Sequence, residues 1–198
     1  MHTTTTRTLA IAAALTLGLT LAGCSTSTNG SDIGSASASA SASSAHNDQD
    51  VVFAQMMLPH HEQAVEMSEV LLAKGSGVDP DVADLAEQIT SEQSPEIHQL
   101  TTWLQNWGGP TGSEHAGTGH SMTGMMSDAD LEDLDQASAE DAGKLYLEQM
   151  IQHHEGAIGM AETEIDEGEN DDAVALAKSI VQSQSEQITR MQDVLASM

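Results

Sequence analysis

Cysteine, basic and aromatic side chains are nearly missing from this chain of 198 residues. A single Cys, at position 24, excludes an intramolecular disulfide, a cysteine-based zinc knuckle and an iron–sulfur site. Lys and Arg number 5 against 31 Asp and Glu, for a formal net charge of −26. A surface so acidic repels nucleic-acid phosphate and anionic lipid headgroups. Aromatic residues make up 2% of the chain (Phe53, Trp103, Trp107 and Tyr146), which leaves little on which bases could stack. Nucleic acid is therefore excluded as a partner. The sequence also offers no nucleophile–base pair, phosphate loop or carboxylate dyad, so its own residues do not point to an enzyme. What it has in surplus is 11 Met and 9 His.

The amino terminus reads as an address. Arg7 precedes an apolar run from Leu9 to Ala22, and at ~1.5 Å per helical residue that run covers only about 21 Å. It ends in Leu21-Ala22-Gly23-Cys24, which resembles a bacterial lipoprotein lipobox, where the Cys thiol takes the lipid. Residues 1–23 are expected to be a signal peptide and Cys24 the lipidated residue. Residues 24–47 are rich in Ser, Ala and Gly and bury too little apolar surface to fold, so they read as a flexible tether. The expected product is exported and held on the outer face of a bacterial membrane by lipid alone.

From residue 48 to 198 apolar residues recur at spacings of three and four, with no strand-like alternation. Helices are predicted at about 50–74, 81–107, 139–167 and 171–197, with a short one near 128–136. Gly75-Ser76-Gly77, Asp79-Pro80, Gly108-Gly109-Pro110 and Gly168 with Asn170 supply the stops and starts. Ser127 and Asp130 have the spacing of a capping box.

The helices repeat. FAQMMLPHHEQAVEMSE, from Phe53, aligns without a gap on YLEQMIQHHEGAIGMAE, from Tyr146, at a constant separation of 93 positions. Their hairpin partners correspond at a separation of 91: Leu85-Ala86, Ile89, Gln93 and Ile97 with Leu176-Ala177, Ile180, Gln184 and Ile188. The expected fold is all-α: a ferritin-like four-helix bundle of two repeated helical hairpins (48–109 and 139–198), with residues 110–138 and their short helix between them.

The repeated block Met-x-x-His-His carries the chemistry. At ~100° per residue, Met56, Met57, His60, His61 and Met67 share the helix face of Phe53 and Leu71, while Glu62, Glu66 and Glu69 point away. Met150, His153, His154 and Met160 repeat the pattern, with Glu155 and Glu162 outward. Packing alone could explain Met in a core and His at its edge. Two gap-free copies weigh against that, because inward imidazoles carry a desolvation cost without an obvious return. Ferritin-like di-iron enzymes need Glu-x-x-His, and here Met57 and Met150 stand three residues before His60 and His153. Thioether with imidazole is a soft, neutral set suited to Cu(I) or Ag(I). Between the hairpins, His115, His120, Met122, Met125 and Met126 stand among small residues, in a loop expected to have no core to fill. Imidazole must be neutral to coordinate, so affinity at the helical sites is expected to fall below about pH 6. His46 is assigned to the tether, His98 to the surface, and Trp103 and Trp107 to one end of the bundle.

The segments FAQMMLPHHEQAVEM, GMMSDADLEDL and YLEQMIQHHEGAIGMAE resemble the domain of unknown function 305 family, over residues 48–198. That family is ferritin-like and helical and includes periplasmic copper-binding CopM proteins. The resemblance implies a four-helix fold and copper binding, with the family's blocks falling on Met57, His60, His61 and Met67, on Met150, His153, His154 and Met160, and on Met125 and Met126. Gln149 stands where the first copy has Met56, so the two halves need not be equivalent. The expected function is an extracytoplasmic copper-binding lipoprotein, not an enzyme, that sequesters or hands over Cu(I), with Cu(II) or Ag(I) as further cargo. A homo-oligomer is allowed and the delivery partner is undefined. The alternatives are a copper-dependent oxidoreductase and a metal-free interaction lipoprotein.

Overall fold

The structure, a computed structural model, describes residues 45–110 and 123–198. Five α-helices fill these segments: α1 (Asp48–Leu72), α2 (Pro80–Trp107), α3 (Asp128–Gln136), α4 (Ala139–Glu167) and α5 (Asp171–Ser197), with a single 3₁₀ turn at Gly75–Gly77. Among the described residues there is no strand.

Each helix starts where the sequence supplies an acceptor for its first free N–H groups. Asn47 accepts from the N–H of Gln49 and Asp50, and Asp50 returns the contact to the Asn47 N–H at 2.6 Å. Asp79 caps α2 with Pro80 behind it, Ser127 and Asp130 form the predicted capping box, Ser138 caps α4 and Asn170 caps α5. Gly108 ends α2 in the left-handed conformation at φ 73°, where a side chain would be strained. Helix α1 runs through Pro59 without interruption. One of the scarce cations sits at a helix end: the Lys74 ammonium donates to the carbonyls of Asp135 and Ala137, at the C-terminus of α3.

The two repeats pair within themselves, α1 on α2 and α4 on α5, and α1 lies along α4. The apolar core is divided. One cluster joins Phe53, Ala54 and Met57 of α1 to Ala157 and Ala161 of α4, closed by Leu100 and Leu104 of α2 and by Leu176, Ala177 and Ile180 of α5. The other joins Ala64, Met67 and Leu71 of α1 to Tyr146, Leu147 and Met150 of α4, closed by Leu85, Ala86 and Ile89 of α2 and Met191 of α5. The start of α1 thus packs on the end of α4 and the end of α1 on its start, so the two helices are antiparallel. Repeat-equivalent residues fall in opposite clusters: Phe53 and Tyr146, Met57 and Met150, Ala64 and Ala157 exchange places. That is the signature of a twofold pseudo-axis crossing the bundle between them.

The folded region extends a little ahead of the expected helices. His46 stacks on Trp107 with ring centroids 4.8 Å apart, and Trp107 stacks on Trp103 at 5.4 Å. The Asn170 amide donates to the Ala45 carbonyl and the Asn47 amide to that of Glu167. Asp50 is fully buried in the same end, where its carboxylate also accepts from the Glu169 and Asn170 N–H groups. Burial pulls the Asp50 carboxyl upward, but the donors of Asn47, Asn170 and Glu169, together with Glu164, outweigh it and hold it below its ordinary value. Its neighbour Glu164 receives no such supply, and burial beside Asp50 pushes that carboxyl up to about 8.

Candidate metal centre

Between the two apolar clusters lies a polar layer. Its centre is built by the repeated block, for Met57, His60 and His61 on α1 and Met150, His153 and His154 on α4 are all fully buried. His60 and His153 meet across the pseudo-axis with ring centroids 3.7 Å apart and planes tilted by 40°. His154 lies beside its neighbour at 6.3 Å. The helical spacing explains the set: residues adjacent in sequence are ~100° apart, so one His of each pair faces the partner repeat and the other faces its own hairpin helix.

Those outer contacts fix protons. His61 Nε2 lies 2.7 Å from Glu96 Oε2 on α2. A carboxylate accepts only, so His61 Nε2 carries the hydrogen and donates it. His154 Nε2 lies 2.7 Å from Gln187 Oε1 on α5, and the Gln187 amide nitrogen donates to Glu92 Oε2 at 2.8 Å. Because Glu92 also only accepts, the Gln187 amide is oriented with its oxygen toward the ring, and His154 Nε2 is again the donor. A neutral ring held this way keeps its lone pair on Nδ1, and the Nδ1 atoms of His61 and His154 are both buried without a hydrogen-bond partner. Sequence reading missed these partners, although Glu96 and Gln187 stand three residues beyond the aligned Gln93 and Gln184 and share their separation of 91.

The layer is starved of further partners. No well-formed hydrogen bond reaches either ring nitrogen of His60 or His153, which have only weak backbone contacts with Thr123 and His60, or Nδ1 of His61 or His154, and the buried amides of Gln93 and Gln184 also have unpaired atoms. Native interiors rarely leave such groups unpaired, at about 1–3 kcal/mol for each. The shortage is recorded in the proton affinities. Burial, then the positive charge that His61 and His154 would carry, lowers His60 to about 3. Burial and the other three rings hold His153 well below its ordinary value, and burial lowers His154 to about 4 against the opposing Gln187 contact. The expectation that protons compete for these rings below about pH 6 is thereby corrected: His60, His153 and His154 remain neutral to considerably lower pH, because a charged ring has no water around it.

The arrangement therefore offers neutral nitrogen lone pairs and two buried thioethers, and no carboxylate within the layer. Among the described residues, no three His, Cys, Asp or Glu side chains converge as a ready-made metal cage. His60 and His153 are packed ring on ring, so an ion held between the repeats would have to part them and draw on Met as well.

The remaining sequence candidates are dispersed. Met67 is fully buried among Leu71, Leu85 and Tyr146, where packing accounts for it. Met56 and Met160 are only half-buried and line a groove of about 450 Å³ between α1 and α4, with Val52, Phe53, Gly156 and Gly159. Met126, expected in a loop with no core to fill, is instead part of the second apolar cluster, and Met125 is half-buried. The reason is Gln63, whose amide both donates to the Met126 carbonyl (3.0 Å) and accepts from its N–H (2.8 Å) and so pins that backbone to α1. In the second repeat Gly156 takes the place of Gln63, and the loop comes so close that a Cβ there would collide with the Thr123 carbonyl. Gln149, the counterpart of Met56, donates to the Asp130 carbonyl and holds α3. His98 is exposed, as expected. His115, His120, Met122 and Cys24 lie outside the described residues.

Known proteins provide an independent comparison. The family described as Domain of unknown function (DUF305) matches residues 50–195. A DUF305 fragment from Deinococcus radiodurans is 33% identical, with 77% of this chain and 98% of that one covered at a TM-score of 0.67. A DUF305 protein from Streptomyces coelicolor, whose name assigns it provisionally to the secreted proteins, is also 33% identical, covering 75% of this chain and 91% of that one at a TM-score of 0.69. CopM in its Cu(I)-bound form is 30% identical, with 75% and 96% covered and a TM-score of 0.62, and similar structures of CopM contain Cu(II) and silver. No curated protein matches the chain. With a match that spans both repeats and both histidine pairs, this chain belongs to the DUF305 family.

Proposed function

We propose that this protein binds copper in its histidine layer, holding it as Cu(I) in preference to Cu(II), and that it stores or hands on the ion without catalysing a reaction. One observation carries the reading: four fully buried imidazoles share one layer, six of their ring nitrogens lack a well-formed hydrogen bond, two buried thioethers lie in the same blocks, and burial holds His60, His153 and His154 neutral. A soft monovalent cation answers that shortage without adding much charge to the interior. The similarity to CopM, solved with Cu(I), Cu(II) and silver, supports the same cargo. Met57, His60, His61, Met150, His153 and His154 are the ligand candidates. Met56 and Met160 in the adjoining groove, with His115, His120, Met122 and Met125 of the connecting segment, are candidates for acquiring the ion. Among the described residues no helix is long and apolar enough to cross a membrane. The lipobox-like Leu21-Ala22-Gly23-Cys24 supports export with lipid anchoring at Cys24.

The test is a titration of the Cys24→Ser protein with Cu(I) against a competing chelator. Binding tighter than micromolar that disappears in His60→Leu/His153→Leu supports the reading. Weaker binding sinks it, and turnover of an electron donor by the loaded protein would sink the non-enzymatic part.

A further inference from the structure

The two halves of the layer differ in one charge. On the α1 side His61 donates to a carboxylate, Glu96, at 2.7 Å, and that carboxylate is only 18% exposed. On the α4 side the equivalent donor, His154, meets a neutral amide oxygen at the same 2.7 Å. The Gln187 amide nitrogen donates in turn to the Glu92 carboxylate of α2, one link further from the ring. The two contacts occupy matching positions in the repeat and have the same length, so equivalent ring nitrogens donate to acceptors of different charge.

A carboxylate that accepts from an imidazole N–H makes the opposite nitrogen a stronger donor and places negative charge one ring away from the ion. That benefits a divalent cation more than a monovalent one. An amide oxygen fixes the tautomer equally well but adds no charge. We propose that Glu96 is a positioning residue that fits the α1 half of the layer to retain Cu(II), while Gln187 leaves the α4 half matched to Cu(I). The inference rests on the copper reading above. It adds that the bundle is internally polarised between two oxidation states, with His61 Nδ1 the stronger ligand and His154 Nδ1 the softer one.

The test compares the Cys24→Ser protein with Glu96→Gln and with Glu92→Gln/Gln187→Glu, which keeps the net charge and moves a carboxylate onto His154. Cu(I) affinity is measured by chelator competition, Cu(II) affinity by paramagnetic resonance titration, and the potential of bound copper by redox titration. Glu96→Gln should weaken Cu(II) about tenfold relative to Cu(I), which raises the potential by about 59 mV for a one-electron couple. The double variant should strengthen Cu(II) and lower the potential by a comparable amount. A potential unchanged in both variants, or equal loss of both oxidation states, overturns the assignment while leaving copper binding intact. Failure of the parent protein to bind either ion overturns the copper reading and this inference together. If Glu96→Gln does not fold by circular dichroism, the double variant decides.

Discussion

Two groups of ionisable side chains are buried in this bundle, and they are provisioned in opposite ways. At the end where α1 begins, Asp50 is supplied with backbone donors from Asn47, Glu169 and Asn170 and stays charged. At mid-bundle, His60 and His153 have no well-formed hydrogen bond, only weak backbone contacts too slight to offset burial. The first group is a structural joint in which donors keep Asp50 charged, while Glu164, left without such donors, keeps its proton instead. The second leaves six ring nitrogens without a well-formed hydrogen bond, the shortage on which the copper proposal rests. Burial of a polar group is thus not itself a functional sign; what sets the layer apart is the number of unpartnered nitrogens gathered in it.

The sharpest way to break this contrast is to remove the unmet demand. Replacing His60 and His153 with Leu should abolish tight copper binding, by about a hundredfold or more for lost ligands and their support. The same change should stabilise the metal-free protein by about 1–3 kcal/mol, read by thermal unfolding, since an apolar side chain of similar size has nothing to satisfy. A destabilised metal-free variant would show that the rings already have a structural role. The joint should respond in the other direction. Asp50→Ala withdraws an acceptor from three backbone N–H groups and should cost about 2–3 kcal/mol, with copper affinity unchanged.

The pH dependence separates the two regions further. His60 and His154 hold off protons until about 3 and about 4, whereas the unfolded chain takes them up near 6.5. The unfolded state therefore binds more protons across that window, and the metal-free protein should lose stability as pH falls through it. Glu164 has the opposite sign. It keeps its proton up to about 8 when folded and loses it near 4.5 when unfolded, so stability declines as pH rises between those values. Glu164→Gln should raise Tm by about 3–6 °C at pH 8 and leave it unchanged at pH 4.5. Equal shifts at both would show that the carboxyl is already ionised in the fold.

A smaller effect concerns two glycines of α4. Gly159→Ala, with nothing within 4 Å of the new Cβ, should stabilise the helix by about 1 kcal/mol. Gly156→Ala should instead destabilise by a similar amount or more, because Thr123 blocks the position. Paired melting curves settle the sign.

Much of this was legible in the sequence. Helix bounds followed from apolar spacing and from Asp79-Pro80, Gly108 and Ser127, because those signals act within one turn. The repeat placed both histidine pairs inward before any packing was known. What could not be read was whatever depends on a second element. Glu96 and Gln187 matter through the rotation of α2 and α5 about their axes, which periodicity fixes only to within a face. Met126 is core because Gln63 holds its backbone from 63 positions away. Met56 and Met160 lie open in a groove because the residues between them include Gly156 and Gly159. The strong displacement of the histidine proton affinities likewise requires knowing that water is excluded from all four rings at once.

The divided core also makes the molecule optically lopsided. Trp103 belongs to one apolar cluster with Trp107 packed against it, and Tyr146 lies in the other. Tryptophan emission consequently follows one half of the bundle and tyrosine emission the other, with the histidine layer as the boundary. Whether those halves melt together or in succession, with and without metal, can be read from the coincidence of two emission transitions in a protein that carries no added label.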